Sequence, residues 1–406
     1  MILNELQQHA LDCILSKKYK FFGLLGAGGT GKTSVLTKIP RDKKVAYTAP
    51  TNKATHVIEK ATGNIGDTRT IYSFMGLVVN EESGRASMDK KGRCYAVDYE
   101  YLVIDEASML GVEIMTAIKR MASDYPRLHI ILMGDTAQAR PVGERISTSF
   151  DSVDYSVTLT QQMRQVAEIP VLNALRNNEN PVDIGKYAGQ LQLPCGTKYG
   201  LSVAKSRKSF EQWLLANDFT EAKIIAWRNN TVDNYNQAIH RKLYPYSDNP
   251  FDKGESLVVQ RPVMDGKTRL YGIDDIIKIE LVSPVYQNRI KLGDESFAID
   301  YVEVNGNLLC LADRKKFKAW WDNKAKLLGY DSKNCNYGWQ QLYGIRDMFV
   351  DVRLSYAETS HKCQGSTYKN VFVDVADFNF NRDVYERNSL LYTAFSRAKQ
   401  NIGVVL

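Results

Sequence analysis

Short apolar runs alternate with helix-forming stretches through the first part of the chain. The apolar runs occupy residues 21–25, 44–50, 101–104 and 129–133, and polar residues follow each of them. Runs of this kind are typical of buried strands in a parallel sheet. Because the carboxyl ends of such strands meet at one edge, the pattern predicts an α/β fold with a ligand crevice along that edge.

Residues 26–33, GAGGTGKT, match the pattern G-x-x-x-x-G-K-[ST] between an apolar run and a helix-forming stretch. A glycine-rich turn with a chance lysine is the alternative, and eight matching positions disfavour it. Glycines let the backbone fold around a polyphosphate with its N–H groups pointing inward. Lys32 would supply charge to the β- and γ-phosphates, and Thr33 would ligate Mg²⁺. The predicted phosphate-binding residues are Gly26, Ala27, Gly28, Gly29, Thr30, Gly31, Lys32, Thr33 and Ser34.

Two acidic residues, Asp105 and Glu106, follow the apolar run 101–104. Beside a phosphate-binding loop, Asp105 is predicted to hold Mg²⁺, and Glu106 is predicted to orient and activate the attacking water. Both side chains can face the cleft, because the chain leaves the sheet at this point. Two solvated surface carboxylates are the alternative, which the preceding loop disfavours. Gln138, after the run 129–133, is predicted to sense the γ-phosphate.

The bulk composition narrows the class of protein. A length of 406 residues predicts two or three domains, and 44% apolar with 24% charged residues is typical of a soluble globular protein. No apolar run approaches the roughly 18 residues of a membrane span, and the first residues do not resemble a signal peptide. Six scattered cysteines without a C-x-x-C pair predict no zinc site, no disulfide framework and a reducing cytoplasmic location. A net charge of +7 permits a nucleic-acid partner without requiring one.

The order of these motifs resembles that of a known family. Gln7 precedes the glycine-rich loop, and APTNKAT, TIYS, VIDEASM and GDTAQARPV follow it. This succession resembles the superfamily 1 helicases, most closely the RecD-like class B branch with its Dda-like phage members. The resemblance implies an α/β fold with two RecA-like P-loop NTPase motor domains. It also implies ATP and Mg²⁺ as cofactors and a nucleotide contact from Gln7.

Two segments of the second half resemble motifs that carry arginine fingers in this family. They are residues 159–164, LTQQMR, and residues 390–398, LLYTAFSRA, which contain Arg164 and Arg397. A guanidinium supplied across a domain interface is worth on the order of 10³–10⁵ in the rate of phosphoryl transfer. The predicted catalytic set is therefore Lys32, Glu106, Gln138, Arg164 and Arg397.

A third segment, residues 355–375 (SYAETSHKCQGSTYKNVFVDV), resembles motif V of the same branch. The family uses this motif to contact the strand and to reach the γ-phosphate, which implies nucleotide contacts from Gln364 and Gly365. Cys363 is predicted to be a packing residue, because no base flanks it. The resemblance implies strand contacts from both halves of the chain, by Pro50, Thr51, Lys53, Thr70, Tyr72, Asn229, Thr359 and His361. Tyr95, in the segment 77–97, is predicted to stack on a base.

Motif order sets the predicted domain boundaries. They are 1–158 for the first motor domain, 159–258 with 351–406 for the second, and 259–350 for an inserted β-rich accessory domain. The composition of residues 77–97 predicts a β-hairpin, with a solvated loop as the alternative, and the resemblance implies that this hairpin is a strand-separating pin. In the insert, Asn305-Gly306 predicts a hairpin, and the helix-forming stretch 313–326 is predicted to bury its tryptophans on its own domain. The resemblance implies an SH3-like barrel there.

The predicted function is that of an ATP-dependent DNA helicase. By resemblance, it would move 5′ to 3′ on single-stranded DNA and unwind single-strand/duplex junctions. It is predicted to act as a monomer away from membranes, with replication or recombination proteins as partners, in the host cytoplasm if it is phage-encoded.

Four alternatives remain from the sequence alone. An RNA helicase, and a nucleic-acid-stimulated translocase that separates no strands, are the nearest. A P-loop kinase for a small metabolite would leave half of the chain without a role. A nucleotide-gated scaffold would not need a water-activating carboxylate such as Glu106.

Overall fold

The computed structural model describes residues 3–40, 43–63, 67–79, 86–88, 92–138, 149–161, 170–177, 180–192, 198–204, 206–216, 221–265, 268–292, 295–330 and 335–406. The chain divides into two compact units, Met1–Val232 with Glu358–Leu406, and Asp233–Ala357. The predicted insert 259–350 lies inside the second unit, and the predicted motor-domain boundaries stay predictions. Across the described ranges, every helix is too short or too polar to traverse a lipid bilayer.

The first lobe of the first unit comprises residues 5–159. Its elements are α1 (Glu5–Ser16), β1 (Phe21–Gly26), α2 (Lys32–Leu36), β2 (Val45–Ala49), α3 (Asn52–Thr62), β3 (Asp67–Thr70), α4 (Ile71–Phe74), β4 (Leu77–Val79), β5 (Ala86–Met88), β6 (Tyr101–Ile104), α5 (Val112–Asp124), β7 (His129–Gly134) and β8 (Tyr155–Leu159).

A six-stranded sheet forms the centre of this lobe, in the order β3-β2-β6-β7-β1-β8, and its neighbouring strands are parallel. β2 and β6 are buried at every residue, which explains why their sequences are largely apolar rather than alternating. The four apolar runs form β1, β2, β6 and β7, so the predicted α/β fold with a parallel sheet is confirmed. Since β7 lies between β6 and β1, the loops after these three strands meet at one edge.

After the first lobe, the chain starts a second sheet, leaves it for the second unit, and returns to complete it. The first stretch has α6 (Pro170–Asn177), β9 (Gly189–Gln192), β10 (Lys198–Ala204), α7 (Arg207–Leu215), β11 (Ala222–Ala226) and α8 (Asn229–Leu243). The second unit has β12 (Ser256–Val259), β13 (Val263–Asp265), β14 (Thr268–Tyr271), β15 (Ile276–Lys278), β16 (Tyr286–Leu292), β17 (Glu295–Val304), β18 (Leu308–Leu311), α9 (Arg314–Tyr330), α10 (Cys335–Asp347) and β19 (Val352–Leu354). The returning stretch has β20 (Ala357–Thr359), β21 (Tyr368–Asp374), α11 (Val375–Phe378), α12 (Val384–Phe395) and β22 (Ala398–Val405).

The second lobe, residues 170–232 and 358–406, contains a six-stranded sheet in the order β20-β11-β21-β22-β10-β9. The neighbouring strands β11, β21, β22 and β10 are parallel to one another, and β9 pairs antiparallel with β10 at the edge. Its core includes Leu390, Leu391 and Phe395 of α12, all buried. β22 is the last strand of the chain to join this sheet. Both lobes therefore contain parallel strands, and among the described residues the glycine-rich loop belongs to the first lobe.

Two predicted hairpins have paired strands. β4 pairs antiparallel with β5 inside the segment 77–97, and the residues between these strands lie outside the described part of the chain. β17 pairs with β18 across Asn305 and Gly306, whose φ angles of 53° and 80° are left-handed values of the kind a type I′ turn requires. The hairpin at Asn305-Gly306 is confirmed, whereas the pin role of 77–97 stays a prediction.

The aromatic helix α9 packs on its own unit. The ring of Trp320 stacks on Phe297 of β17 with centroids 4.8 Å apart, and Phe317 is buried in the same cluster. Lys316 donates to Asp300 of β17 at 3.2 Å. The predicted burial of the α9 tryptophan stripe is therefore seen for Trp320, and at least one of its lysines neutralises a neighbouring carboxylate. The predicted SH3-like barrel stays a prediction.

A buried charge network lies near the end of α8 in the second unit. The Nδ1 of His240 donates to Glu255 at 3.0 Å, and its Nε2 donates to the carbonyl oxygen of Asn249 at 2.9 Å. The Tyr356 hydroxyl donates to Glu255 at 2.7 Å. Burial alone lowers the pKa of His240, but the hydrogen bond to Glu255 and the charge of that carboxylate outweigh it, so the pKa is raised. The packing therefore favours the imidazolium form.

The raised pKa of His240 predicts a pH-dependent contribution to stability. This contribution is fully present below the unfolded-state pKa of about 6.5 and is lost as pH rises through the higher folded-state pKa. The cost of His240→Gln in urea unfolding should therefore be largest near about pH 6 and shrink toward about pH 9. His9→Gln, at an exposed histidine, is the control. A cost that is constant with pH would contradict the ion-pair role.

Candidate nucleotide site and nucleic-acid interface

The loop between β1 and α2 has a backbone that requires glycine. Gly26, Gly29 and Gly31 have φ angles of 151°, 89° and 82°, which residues with a Cβ rarely adopt. A Cβ on Gly26 would lie 2.7 Å from the carbonyl oxygen of Leu159 and 2.7 Å from the hydroxyl of Thr30. A side chain at this position would therefore fill the cradle, and the loop fits the predicted phosphate site.

The ammonium group of Lys32 lies inside this loop. It donates to the carbonyl oxygens of Gly26 at 2.6 Å and of the next residue at 3.1 Å. Desolvation lowers the pKa of Lys32, and the charges of Asp135, Asp105 and Glu106 oppose that shift. Lys32 is thus within electrostatic reach of three carboxyl groups. A phosphate bound here would compete with two carbonyls for the same ammonium group.

Gln7 is buried and braces the loop. Its Nε2 donates to the carbonyl oxygen of Thr30 at 3.1 Å, and its Oε1 accepts from the N–H of Asn4 at 3.0 Å. The N–H of Gln7 donates back to the Asn4 side chain at 2.8 Å, which completes a capping box at the start of α1. Both ends of the amide are therefore bonded to backbone, and the nucleotide contact of Gln7 stays a prediction.

The acidic pair follows β6 at the same edge of the sheet. The N–H of Asp105 continues the strand pairing by donating to Thr48 at 2.9 Å. Glu106 has a left-handed backbone with φ of 50°, a costly conformation that clusters at functional sites. Its N–H donates to Oδ1 of Asp105 at 2.9 Å. The structure thus brings Asp105 and Glu106 together, within electrostatic reach of Lys32.

Burial raises the pKa of both carboxyl groups. For Glu106, desolvation and then the charge of Asp105 raise the pKa to about 7, while Arg397 and Lys32 oppose the rise. For Asp105, desolvation raises the pKa and the charge of Lys32 opposes it. A pKa near neutrality suits a general base, because the group is substantially ionised and still able to accept a proton.

The donor set at this edge fits Mg²⁺. Thr33, near the start of α2, and Asp105 offer hydroxyl and carboxylate oxygens, which are the ligands that Mg²⁺ prefers. Since burial penalises the charged form of Asp105, a divalent cation beside it would favour ionisation.

The loop after β7 carries Asp135 and Gln138, and both are buried. Asp135 accepts from the N–H of Ala137 at 3.1 Å, from Nη2 of Arg176 at 2.9 Å and from the Tyr392 hydroxyl at 2.7 Å. The N–H of Gln138 donates to the carbonyl oxygen of Asp135 at 3.1 Å. The predicted γ-phosphate sensor therefore lies in a loop that side chains of the second lobe contact directly.

Arg397 follows α12 and is only 6% exposed. Its Nε donates to the carbonyl oxygen of Thr393 at 3.1 Å, and its Nη2 donates to the Ser396 hydroxyl at 2.8 Å. Its charge is close enough to oppose the raised pKa of Glu106. The structure thus brings one predicted arginine finger toward the acidic pair of the other lobe. Arg164, the second predicted finger, lies outside the described residues.

The segment predicted as motif V contacts the first lobe. Gln364 is buried, and Gly365 has φ of 75°, with its Cβ position 3.5 Å from Ala54 of α3. Cys363 is fully buried, its Sγ donates to the carbonyl oxygen of Ser360 at 3.0 Å, and burial raises the pKa of the thiol to about 12. Cys363 is therefore a protonated packing residue, as predicted.

Lys53, a predicted strand contact, already neutralises a carboxylate. Its Nζ lies 3.0 Å from Glu358 and donates to the carbonyl oxygen of Lys362 at 3.0 Å. The Tyr368 hydroxyl also donates to Glu358, at 2.6 Å. Burial alone raises the pKa of Glu358, but the charges of Lys53 and Lys223 outweigh it, so the pKa is lowered. A nucleic-acid phosphate would therefore compete with Glu358 for Lys53.

Asn229 is exposed at the first residue of α8, in a turn organised by Asp377. The buried carboxylate of Asp377 accepts from the N–H groups of Trp227 and Arg228, both at 2.8 Å, and from the Thr231 hydroxyl at 2.6 Å. These bonds fix the backbone on both sides of Asn229. The side chain of Asn229 is thus presented to solvent from a rigid turn.

The other predicted strand residues differ in their surroundings. Thr51 and Thr70 cap α3 and α4, and each hydroxyl accepts a 3.2 Å hydrogen bond from the N–H three residues later. The ring of Tyr95 lies under the guanidinium of Arg69, 3.8 Å from the ring centroid. Pro50, Tyr72 and His361 are half-buried, and Thr359 is buried. Their strand contacts stay predictions.

Sequence reasoning missed five residues that organise the site: Asp135, Arg176, Tyr392, Glu358 and Asp377. Asp135 had a usable signal, because it follows an apolar strand just as Asp105 does. Arg176 and Tyr392 had none, since they are 216 positions apart and meet only in the folded chain.

Two family profiles match the chain. An AAA domain matches residues 2–198, and a UvrD-like helicase C-terminal domain matches residues 354–405. The first match contains the glycine-rich loop and the acidic pair, and the second contains Gln364, Gly365 and Arg397.

Relatives align along the whole chain. The ATP-dependent DNA helicase dda of Enterobacteria phage T4 is 25% identical over 99% of this chain and 99% of that protein. An uncharacterised protein of Acanthamoeba polyphaga mimivirus is 23% identical over 98% of this chain and 97% of that protein.

Among solved structures, Bacteroides Pif1 bound to ssDNA has a TM-score of 0.55 at 17% identity, over 99% of this chain and 92% of that chain. Pif1 helicase from Candida albicans has a TM-score of 0.52 at 16% identity, over 100% and 94%. The structural similarities show a shared fold.

The raised pKa of Glu106 predicts that nucleotide hydrolysis slows at low pH, so that the pH–rate profile has an acid limb. With Glu106 as the predicted base, kcat/KM for the nucleoside triphosphate, which reports the free enzyme, should fall as pH drops through about 7. Glu106→Gln should hydrolyse very slowly at every pH. Glu113→Gln, at an exposed acid of α5, should keep the limb. A limb at the ordinary glutamate value of about 4.3 would contradict the assignment.

Proposed function

Because this chain is a superfamily 1 helicase of the class B branch related to Dda, we propose that it couples ATP hydrolysis to movement along single-stranded DNA and to strand separation. The observation that carries the proposal is the contact between the lobes beside the phosphate loop. Asp135, after β7 of the first lobe, accepts from Arg176 and Tyr392 of the second lobe, and Arg397 follows the helix that contains Tyr392. A hydrolytic site that needs both lobes is active only when they approach each other. Hydrolysis is then tied to lobe motion.

Each catalytic residue has a distinct role in this proposal. The loop at Gly26 and Lys32 binds the phosphates, and Lys32 neutralises their charge. Glu106 accepts a proton from the attacking water. Arg397, joined by the predicted Arg164, stabilises charge on the transferring phosphoryl oxygens. Gln138 senses whether the γ-phosphate is present. Because it lies in the loop that contacts the second lobe, it passes this information to that lobe.

Mg²⁺ bound by Thr33 and Asp105 would neutralise charge on the triphosphate oxygens. The fit of these two side chains to Mg²⁺ supports this part of the proposal. With the cation present, Asp105 is held ionised, and Glu106 remains the nearby carboxylate that is able to take a proton.

The strand is proposed to bind both lobes. Thr51 and Lys53 contact it from the first lobe, and Asn229 and His361 contact it from the second. Approach and separation of the lobes then alternate which set grips the strand, which produces a step. Contacts to phosphates and base faces predict little sequence preference. Strand phosphates would compete with Glu358 of the second lobe for Lys53. The contact of Lys53 with the strand would therefore depend on the position of the second lobe.

The relatives support DNA as the track. The phage T4 relative is named an ATP-dependent DNA helicase, and the Bacteroides Pif1 structure has bound ssDNA. We propose 5′-to-3′ movement, action as a monomer at single-strand/duplex junctions, and strand separation by a pin at 77–97. We also propose replication or recombination proteins as partners.

Hydrolysis and unwinding assays test this function. ATP hydrolysis should be strongly stimulated by oligo(dT), and a duplex with a 5′ tail should be unwound in preference to one with a 3′ tail. Lys32→Ala should abolish hydrolysis, because the phosphates lose their main cationic partner, while oligo(dT) binding remains. Lys38→Ala, at an exposed lysine just after α2, is the matched control.

Other outcomes separate the alternatives. Hydrolysis indifferent to nucleic acid would exclude a helicase. Stimulation by oligo(rU) alone would assign an RNA track, and stimulation without unwinding would leave a translocase. Phosphorylation of a metabolite would favour a kinase, whereas nucleotide binding without turnover would favour a scaffold. Full activity in Lys32→Ala would remove the P-loop assignment.

A further inference from the structure

Asp135 is fully buried, and the proposed chemistry does not use it. It lies at the nucleotide edge, the edge of the first sheet where the loops after β1, β6 and β7 meet. Its strand, β7, lies between β6 and β1, so Asp135 leaves the sheet between the phosphate loop and Asp105. Its charge affects both Lys32 and Glu106. A carboxylate buried this deeply must be paired and hydrogen-bonded, because its desolvation is costly.

The side chains that pair with Asp135 come from the second lobe. Nη2 of Arg176, on α6, lies 2.9 Å from Oδ1, and the Tyr392 hydroxyl, on α12, donates to Oδ2 at 2.7 Å. Arg176 and Tyr392 also contact each other, with Nη1 3.5 Å from the hydroxyl oxygen. Burial and the charge of Asp135 raise the pKa of Tyr392, so its hydroxyl stays a proton donor. Charge-assisted bonds of this type are stronger than neutral ones.

The helix α12 contacts the same loop one turn earlier. The Ser389 hydroxyl donates to the carbonyl oxygen of Ala137 at 2.6 Å and to that of Gln138 at 3.2 Å. Ser389 and Tyr392 are three positions apart and therefore lie on one face of the helix. Arg397 follows the end of this helix, and its Nε bonds to a carbonyl of the last turn. The attachment of α12 to the loop thus sets where Arg397 lies.

We propose that Asp135 is the docking point through which Tyr392 and Arg176 hold α12, and with it Arg397, in place against Glu106. The three residues are positioning residues, since they act through Arg397 rather than on the reacting atoms. This inference rests on the proposed ATPase function and adds the element that assembles its shared site. Loss of the dock moves the guanidinium away from its place beside Glu106.

The test uses variants of the full chain. Tyr392→Phe removes one hydroxyl and keeps the ring, so the fold should be retained. We expect kcat for DNA-stimulated ATP hydrolysis to fall roughly ten- to hundredfold, with a much smaller change in KM. Tyr385→Phe, at an exposed tyrosine of the same helix, should leave kcat unchanged.

A second pair of variants distinguishes position from charge. Arg176→Gln should reproduce the loss of kcat with little change in KM, and Arg176→Lys should restore part of it. An unchanged kcat in Tyr392→Phe and Arg176→Gln would overturn the inference. A loss of kcat that disappears at temperatures where the variants are fully folded would also overturn it, since that result assigns the residues a structural role only.

Amide hydrogen exchange tests the dock without ATP hydrolysis. Amide hydrogen exchange at Ala137 and Gln138 should accelerate in Tyr392→Phe, because the loop loses one of its attachments to α12 and keeps only the bonds from Ser389. If the wild-type chain hydrolyses no ATP, the proposed function fails, and this exchange measurement still decides the dock. Unchanged exchange would then overturn it.

Discussion

Glu106 is a half-buried carboxylate whose ionisation depends on positive charge from both lobes. Desolvation and the neighbouring Asp105 favour its protonated form, and Lys32 and Arg397 oppose them. Lys32 belongs to the same lobe as Glu106, whereas Arg397 belongs to the other. The protonation state of the base is therefore linked to the approach of the lobes. In the proposed mechanism, separation of the lobes would take from Glu106 part of the charge that keeps it ionised and would also withdraw Arg397 from the phosphates.

The fold concentrates this linkage at two places on the lobe interface. At the nucleotide edge, Asp135 accepts hydrogen bonds from Arg176 and Tyr392. At the side predicted to contact the strand, Lys53 pairs with Glu358. Each place contains an ion pair between the lobes, and each lies beside a group expected to bind phosphate. In the proposed mechanism, a ligand that binds at either place and favours one arrangement of the lobes would shift the other place as well, which is the physical requirement for coupling hydrolysis to movement.

Local features of the site could be predicted from the sequence because they depend on neighbours in the chain. The positive φ angles of Gly26, Gly29 and Gly31 explain why the loop pattern is recognisable, and buried strands such as β6 are recognisable because both faces are apolar. Partners far apart in sequence could not be predicted. Arg176 and Tyr392 meet across 216 positions, and nothing in either segment indicates the other. Gln7 shows a subtler limit, since its motif context predicted a nucleotide contact but not the two backbone bonds that hold its amide.

Single-turnover hydrolysis by Arg397→Ala tests the shared site most directly. The rate of ATP cleavage should fall by on the order of 10³, nucleotide affinity should change little, and the acid limb of the residual rate should move to higher pH. Arg397→Lys should retain the position of the limb better than Arg397→Ala, because it keeps the charge. A normal cleavage rate in Arg397→Ala, or a loss explained wholly by weaker ATP binding, would contradict the account.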